Sequence, residues 1–215
     1  MRPRTMRAVI RAALFDFGGV ILSSPFEAFA AYERRAGLPE GFIRSVNATD
    51  PDTNAWARLE RSELSLDEFI AAFEAEAASL GHAVDGSEVV GCLRGEVRPR
   101  MVGAVQRCRE TYATALLTNN FLTGTPDWSS GGSFHEITGL FDVIVESSRV
   151  GCRKPERRFY EIALEELEIL PEEAVFLDDL GVNLKPAREM GMTTIKVVDA
   201  DAALDELAAV LGLDL

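Results

Sequence analysis

The 215-residue sequence has little histidine and cysteine, with two and three residues respectively. Its cysteines, Cys92, Cys108 and Cys152, form no C-x-x-C pair, which argues against a disulfide framework and against a zinc site. We therefore expect a reduced, cytoplasmic protein. The sequence also lacks a run of about 18 apolar residues, as a membrane-spanning helix would need. Arg11 and Asp16 interrupt the apolar stretch near the N-terminus, so a cleaved leader is not expected.

Basic residues are scarce as well, because 22 Lys and Arg stand against 35 Asp and Glu and leave a formal net charge of -13. A surface this acidic repels phosphate backbones and anionic lipid heads. The densest basic run, at residues 153–158, is short and is interrupted by Pro155 and Glu156. We therefore expect neither nucleic acid nor a membrane as a partner. The chain length suits one domain of ordinary size, or a core with a smaller second lobe.

The sequence does contain five short apolar runs, each bounded by turn or helix signals. From the second run onward they alternate with helical patterns, which is typical of a parallel sheet covered on both faces by helices. We expect Pro155 at the first position of one such helix, Asn183 as the cap of another, and a polar loop at residues 124–133. The apolar runs lie at residues 12–15, 113–117, 143–145, 175–177 and 193–198.

The segment at residues 23–97 differs from the rest, because it is rich in Ala, Glu, Leu and Phe and almost devoid of strand signals. Its apolar residues recur at helical spacing, and Ser65 with Glu68 forms a capping-box pattern. We expect a helical lobe inserted after the first strand, with residues 1–22 and 98–215 forming a discontinuous α/β core. The lobe helices are expected at residues 26–36, 55–61, 66–80 and 87–94.

Polar side chains follow the apolar runs where the predicted strands end. They are Asp16 after the first run, Thr118 and Asn119 after the second, Lys154 shortly beyond the third, and Asp178 and Asp179 after the fourth. Open parallel sheets bind ligands outside the carboxyl ends of their strands, so these side chains are expected to converge. Carboxylates suit Mg²⁺, a lysine and a hydroxyl suit phosphate oxygens, and one carboxylate can serve as a nucleophile. The set therefore predicts phosphoryl-transfer chemistry.

These residues lie in four motifs whose content and order resemble those of the haloacid dehalogenase-like hydrolase superfamily. The motifs are FDFGGV at residues 15–20, LTN at 117–119, KP at 154–155 and FLDD at 176–179. The stretches VGCRKPERRFY and VFLDDLGVNLKPAREMGMTTI are similar, more specifically, to the N-terminal phosphatase domain of soluble epoxide hydrolase and to the related domain fused to some acyl-CoA dehydrogenases. The resemblance implies an α/β fold, with a Rossmann-like three-layer core, a parallel sheet and an inserted helical cap.

The resemblance also implies a magnesium site and a nucleophile. Asp16 would attack phosphorus to form an aspartyl-phosphate and would also bind Mg²⁺. Asp179, supported by Asp178, would complete the metal site. Gly18 occupies the position of the family's second Asp, so its backbone carbonyl would still bind the metal, but the carboxyl group that usually serves as general acid and base is missing.

The remaining motif residues would bind phosphate in this family. Thr118 would hold the phosphoryl group through its hydroxyl and backbone N–H, with Asn119 beside it. Lys154 would neutralise both the nucleophile and the transferring phosphate. The implied protein is a magnesium-dependent phosphatase that hydrolyses a small phosphorylated metabolite as a monomer or a homodimer.

Gly18 leaves two alternatives open. A catalytically impaired phosphate-binding or interaction domain would keep the site without turnover. A haloacid dehalogenase would also lack the second Asp, but the dehalogenases of the superfamily need no magnesium and lack paired carboxylates such as Asp178 and Asp179. That pair favours the phosphatase.

Overall fold

The computed structural model describes residues 9–119 and 133–215, without the side chains of residues 133 and 134. The predicted polar loop at residues 124–133 lies outside this range, apart from Ser133, which begins a helix. None of the helices within the described ranges combines the length and the apolar character that crossing a bilayer requires.

Five strands of the described chain form one parallel sheet in the order β3-β2-β1-β4-β5. They are β1 (Ala12–Phe15), β2 (Ala113–Thr118), β3 (Val143–Glu146), β4 (Ala174–Asp178) and β5 (Thr193–Lys196). In the centre, Phe15 of β1 lies beside Leu116 of β2 on one side and Leu177 of β4 on the other. Each strand coincides with one of the predicted apolar runs, and the parallel α/β prediction is confirmed.

The helices of the described residues are α1 (Phe26–Ala36), α2 (Phe42–Ala48), α3 (Ala55–Glu60), α4 (Leu66–Ser79), α5 (Gly86–Gly91), α6 (Pro99–Arg109), α7 (Ser133–Thr138), α8 (Ser147–Val150), α9 (Arg157–Leu167), α10 (Gly181–Met190) and α11 (Ala200–Leu211). Successive strand residues point to opposite faces of the sheet. Ala13 and Phe15 therefore pack with α6 and α11, whereas Ala12 and Leu14 pack with α9 and α10. The three-layer core follows from this alternation.

Helices α1 to α5 surround a hydrophobic cluster of their own. Its centre is aromatic, with Trp56 edge-on to Phe29, Phe69 and Phe73. The predicted capping box at Ser65 is present at the start of α4. Helix α2 was not predicted, because it is short, follows a left-handed Gly41 and carries polar residues among its apolar ones. It forms because its apolar side chains enter the same cluster.

Two neighbouring backbone segments connect α1–α5 with the sheet. Leu22 and Val97 form an isolated antiparallel bridge. The N–H of Ser23 donates to the carbonyl of Glu96 at 2.8 Å, and the N–H of Arg98 donates to the carbonyl of Ile21 at 2.9 Å. The separate cluster and this crossing support our proposed division into a core of residues 1–22 and 98–215 and a cap of residues 23–97.

Two helix starts differ from the sequence-based expectation. Helix α9 begins at Arg157, not at Pro155, because the side-chain amide of Asn119 binds both the N–H and the carbonyl of Lys154 and holds this backbone outside the helix. Asn183 does not cap α10. The helix begins at Gly181, and Asn183 lies buried within it, bonded to Asp178.

Candidate active site

Carboxylates and one ammonium group meet at the carboxyl edge of the sheet. Asp16 directly follows β1, and Asp178 ends β4, the neighbouring strand. The ammonium nitrogen of Lys154 lies 2.7 Å from Asp16 Oδ1 and 2.8 Å from Asp178 Oδ2. Lys154 reaches both from the loop between α8 and α9, and only 1% of its surface is exposed. The structure thus brings together side chains that the strand ends placed at one edge.

Asp179 completes the carboxylate group. One oxygen each from Asp16, Asp178 and Asp179 lie within 4.8 Å of one another. Asp179 Oδ2 accepts a hydrogen bond from the hydroxyl of Ser24, which precedes α1 in the cap, at 3.3 Å. A cap residue therefore touches the carboxylate cluster directly.

The turn that follows Asp16 is shaped by two glycines with different roles. Gly19 has a φ of 82°, and a Cβ there would lie 2.2 Å from Asp179 Oδ2, so a side chain at this position would be strained and would displace the Asp179 carboxylate. Gly18 has an ordinary φ of -73°, and a Cβ there would meet nothing within 4 Å. The backbone therefore leaves room for a side chain at Gly18, and the absence of a carboxyl group there is a property of the sequence.

Asp178 is fully buried and its oxygens are well occupied. Besides Lys154, it accepts hydrogen bonds from the N–H of Leu180 at 2.8 Å and from the amide of Asn183 at 3.1 Å. Such a carboxylate orients its neighbours and balances the charge of Lys154. It does not line the cavity described below, which distinguishes it from Asp16 and Asp179.

Thr118 and Asn119 lie at the end of β2, beside Asp16. Thr118 is the last residue of the strand and is buried. Asn119 Oδ1 accepts from the N–H of Lys154 at 2.8 Å, and Asn119 Nδ2 donates to the carbonyl of Lys154 at 3.0 Å. The two motifs are therefore joined through the backbone of the lysine.

Burial controls the ionisation of the carboxylates. Burial, aided by Asp178 and Asp179, raises the pKa of Asp16 to about 8 despite the opposing contact with Lys154. Burial and Asp178 raise the pKa of Asp179 to about 6. Burial acts to lower the pKa of Lys154, but the contacts with Asp16 and Asp178 outweigh it and the pKa is raised. A cation beside Asp16 and Asp179 would favour their ionised forms.

The donor set fits a hard divalent cation. All candidate donors are oxygens: the carboxylates of Asp16 and Asp179, and the backbone carbonyl of Gly18, which borders the same cavity. In their fully ionised forms, the three carboxylates and the ammonium group of Lys154 carry a formal charge of two negatives, which a divalent ion would neutralise. Mg²⁺ takes one or two carboxylates and leaves other positions to water and phosphate oxygens.

A cavity of about 480 Å³ opens between the sheet edge and the cap. Asp16, Thr118 and Lys154 lie at its core side, and Phe26, Phe29 and Trp56 are among its cap walls. A polar end of this kind with apolar walls is typical of a small-molecule site.

Sequence reasoning missed the cap residue Glu60, which forms an ion pair with Arg153 of the core beside this cavity. Arg153 lies next to Lys154 in the stretch VGCRKPERRFY, whereas Glu60 is 93 residues away and belongs to no recognisable motif. Asn183 was a candidate that the sequence alone left undecided; its side-chain amide donates to Asp178 at 3.1 Å, and the residue borders the same cavity.

The family model for haloacid dehalogenase-like hydrolases matches residues 10–191. The chain therefore belongs to the haloacid dehalogenase-like hydrolase family.

Among curated proteins, acyl-CoA dehydrogenase family member 10 of Mus musculus is 36% identical over 95% of this chain and 19% of the relative. Bifunctional epoxide hydrolase 2 of Sus scrofa is 32% identical over 96% of this chain and 40% of the relative. The chain thus spans less than half the length of both relatives. D-ribitol-5-phosphate phosphatase of Bacteroides thetaiotaomicron is 26% identical over 95% of this chain and all of the relative.

Solved structures share the fold. One is a family enzyme of Bacteroides thetaiotaomicron in complex with magnesium and inorganic phosphate, with a TM-score of 0.58, 18% identity, and coverage of 87% of this chain and 93% of that one. Another is the L-2-haloacid dehalogenase of Xanthobacter autotrophicus, with a TM-score of 0.60, 19% identity, and coverage of 96% of this chain and 85% of that one. The fold is thus common to phosphate-binding and dehalogenating members.

Proposed function

We propose that this protein is a magnesium-dependent phosphatase that hydrolyses a small phosphomonoester through an aspartyl-phosphate at Asp16. The observation that carries the proposal is the contact of 2.7 Å between Asp16 and Lys154 at the floor of the cavity, with Asp179 alongside. A carboxylate nucleophile, a cation beside it and a second carboxylate facing the same space are what phosphoryl transfer requires.

In the first step, a carboxylate oxygen of Asp16 bonds to phosphorus while the bond from phosphorus to the alcohol oxygen breaks. The alcohol oxygen leaves with the bonding electron pair. Lys154 offsets the charge of the nucleophile and of the phosphoryl oxygens, and Thr118 donates hydrogen bonds to those oxygens, with Asn119 fixing the lysine backbone. The oxygen of a water molecule then bonds to phosphorus while the bond from phosphorus to the Asp16 oxygen breaks. Asp16 leaves as the free carboxylate with the bonding electron pair, and the proton of the water passes to solvent or to the phosphate that is released.

The metal in this proposal is Mg²⁺, held by Asp16, the carbonyl of Gly18 and Asp179, with Asp178 supporting the arrangement from behind Lys154. The bound ion would neutralise phosphate oxygens and keep Asp16 ionised. This second effect matters because a protonated Asp16, favoured by burial below about pH 8, is not a nucleophile.

Gly18 decides which substrates suit the site. Because no carboxyl group stands there to protonate the departing oxygen, turnover requires a leaving group that is stable as an anion, such as a carboxylate, an anomeric sugar oxygen or an activated aryl oxygen. We therefore place the substrates of this protein among activated phosphate esters and anhydrides.

The cavity also bears on the alcohol part of the substrate. Aromatic walls formed by Phe26, Phe29 and Trp56 favour an apolar body, and about 480 Å³ accommodates a small metabolite. Because its three cysteines suggest a reduced protein, we propose that it is cytoplasmic, as a monomer or a homodimer. The acidic composition supports the proposal that it binds neither nucleic acid nor membranes.

A panel of substrates tests the proposal. Wild type and D16N are assayed with Mg²⁺ on phosphomonoesters that include an activated aryl phosphate and an acyl phosphate, and on 2-haloacids without metal. Magnesium-dependent phosphate release by the wild type alone supports the phosphatase. Phosphate binding without any turnover supports the impaired-domain alternative, and halide release supports a dehalogenase.

A further inference from the structure

Glu60, the last residue of α3 in the cap, has a buried carboxylate that the proposed chemistry does not use. Both of its oxygens accept hydrogen bonds. Oε1 accepts from the indole N–H of Trp56 at 3.1 Å, and Oε2 accepts from the amide of Asn119 at 3.2 Å and from the guanidinium of Arg153, with which it forms an ion pair. Both oxygens of this cap carboxylate therefore have hydrogen-bond partners, and two of the three partners belong to the core.

The two core partners flank the catalytic lysine. Asn119 binds the N–H and the carbonyl of Lys154 with its amide, so Glu60 is one hydrogen bond away from the lysine backbone. Arg153 is the residue before Lys154, and its guanidinium also donates to the carbonyl of Pro51 in the cap at 2.6 Å. Two segments of the cap therefore hold the loop that carries Lys154.

The buried carboxylate of Glu60 depends on its partners for its stability. Burial raises the pKa of Glu60, although Arg153 and Trp56 act against it. A buried carboxylate is costly unless it is paired, and removing one partner leaves the other charge uncompensated. The contact of Glu60 with Asn119 and Arg153 therefore depends on the cap lying on the core.

We propose that Glu60 is a positioning residue whose carboxylate, when the cap lies on the core, holds Asn119 and Arg153 in place and thereby fixes the backbone of Lys154. Part of this inference rests on the proposed function, because the consequence for catalysis requires that Lys154 acts on a phosphoryl group. The positioning itself is independent of the reaction.

Hydrogen exchange tests the positioning without turnover. The probe is the backbone N–H of Lys154, which donates a hydrogen bond to Asn119 Oδ1. E60Q keeps the shape but loses the charge, and we expect the Lys154 amide to exchange about tenfold faster than in the wild type. The matched control is E63Q, which removes the charge of an exposed carboxylate paired with Arg61, and its Lys154 exchange should be unchanged.

R153K provides a second variant should E60Q fold poorly. It keeps the positive charge, but a single ammonium group lacks the guanidinium geometry that serves Glu60 and Pro51 together. The proposal is supported if the Lys154 amide exchanges faster in R153K than in the wild type while its exchange rate in E63Q is unchanged. Exchange at the wild-type rate in a folded E60Q or R153K overturns it.

Kinetics test the catalytic consequence. For an activated aryl phosphate, we expect E60Q to lower kcat about tenfold with KM within about threefold, and E60Q/R153K to cost little more than E60Q alone, because the two residues act through one contact. A lower melting temperature with kcat unchanged at a temperature where E60Q is folded would make Glu60 a structural brace and overturn the proposal. If the wild type hydrolyses no phosphoester, the proposed function fails, and the exchange result still decides whether Glu60 positions Lys154.

Discussion

At the scale of single residues, Gly19 and Asp179 share one small space beside the first strand. The positive φ of Gly19 and the 2.2 Å approach of a built Cβ to Asp179 Oδ2 leave no room for a methyl group. We expect G19A to lower the free energy of unfolding by about 2 kcal/mol and to weaken magnesium binding, because Asp179 must move. Urea unfolding with and without Mg²⁺ measures both effects.

The matched control is G18A, whose added methyl group meets nothing within 4 Å and whose φ is ordinary. Its unfolding free energy should stay within about 0.5 kcal/mol of the wild type. If G19A and G18A lower the free energy of unfolding equally, the clash with Asp179 is not the cause of the destabilisation.

Gly18 also permits a gain-of-function experiment. Because the position is open and borders the cavity, G18D can place a carboxyl group where a leaving alcohol could take a proton. We expect kcat on poor leaving groups such as alkyl phosphates to rise about 10²-fold or more, with little change on an activated aryl phosphate. Steady-state assays of both substrates measure these changes in kcat. An equal change in kcat on both substrates would contradict the claim that Gly18 leaves the site without a general acid.

How far single residues could be predicted depends on where they lie along the chain. Asp16, Thr118 and Asp178 stand at strand ends, and parallel strands deliver their carboxyl ends to one edge, so the sequence indicates their convergence. Glu60 carries no such signal. Its two partners in the core are 59 and 93 residues away, and only the packed cap brings them to Glu60.

At the scale of elements, the cap supplies the apolar wall of the cavity. Phe26, at the start of α1, lines this wall with the guanidinium of Arg44 over its ring at 4.7 Å. We expect F26A to raise KM about tenfold for an activated phosphate with a long apolar body, since a buried aromatic contact is lost. Acetyl phosphate, which has no long apolar body to contact the wall, serves as the control substrate, and an equal rise in its KM would contradict this assignment.

Elements also differ in how well their patterns predict them. The strands of the core are short, largely apolar and bounded by turns, and all five were predicted. The start of α9 was misplaced, because Pro155 favours a first helical position while Asn119 fixes the preceding residue from another part of the chain. Helix α2 forms through its packing into the cap cluster, which no local pattern encodes.

At the scale of the whole molecule, the net charge of -13 contrasts with the anionic substrate that we propose. A divalent cation held by the carboxylates of the site would, together with Lys154, neutralise the local negative charge and let a phosphate approach. We therefore expect magnesium to stabilise the protein in a pH-dependent way.

The raised pKa values of Asp16 and Asp179 determine how the stabilisation by magnesium changes with pH. Without metal, the folded protein keeps protons on Asp179 up to about pH 6 and on Asp16 up to about pH 8, whereas an exposed carboxyl loses its proton near pH 3.8. Deprotonation of these groups therefore costs metal-free stability as the pH rises through that window. Mg²⁺ binds the ionised forms, so its stabilisation grows with pH.

Thermal unfolding measures this effect. At saturating Mg²⁺ we expect the melting temperature to rise by about 5–10 °C near pH 8 and by less than half as much near pH 5.5. D179N should abolish most of the difference. A magnesium effect that is independent of pH, or that survives in D179N, would contradict the assigned ligands.

The central claim is that phosphate passes through a covalent bond to Asp16. The most direct measurement is an acid quench milliseconds after mixing the protein with Mg²⁺ and an activated phosphate, followed by mass spectrometry of the peptide that contains Asp16. We predict one phosphoryl group on Asp16, removed by hydroxylamine and absent from D16N. Phosphate release with no phosphoryl group on that peptide, or undiminished turnover by D16N, would contradict the account.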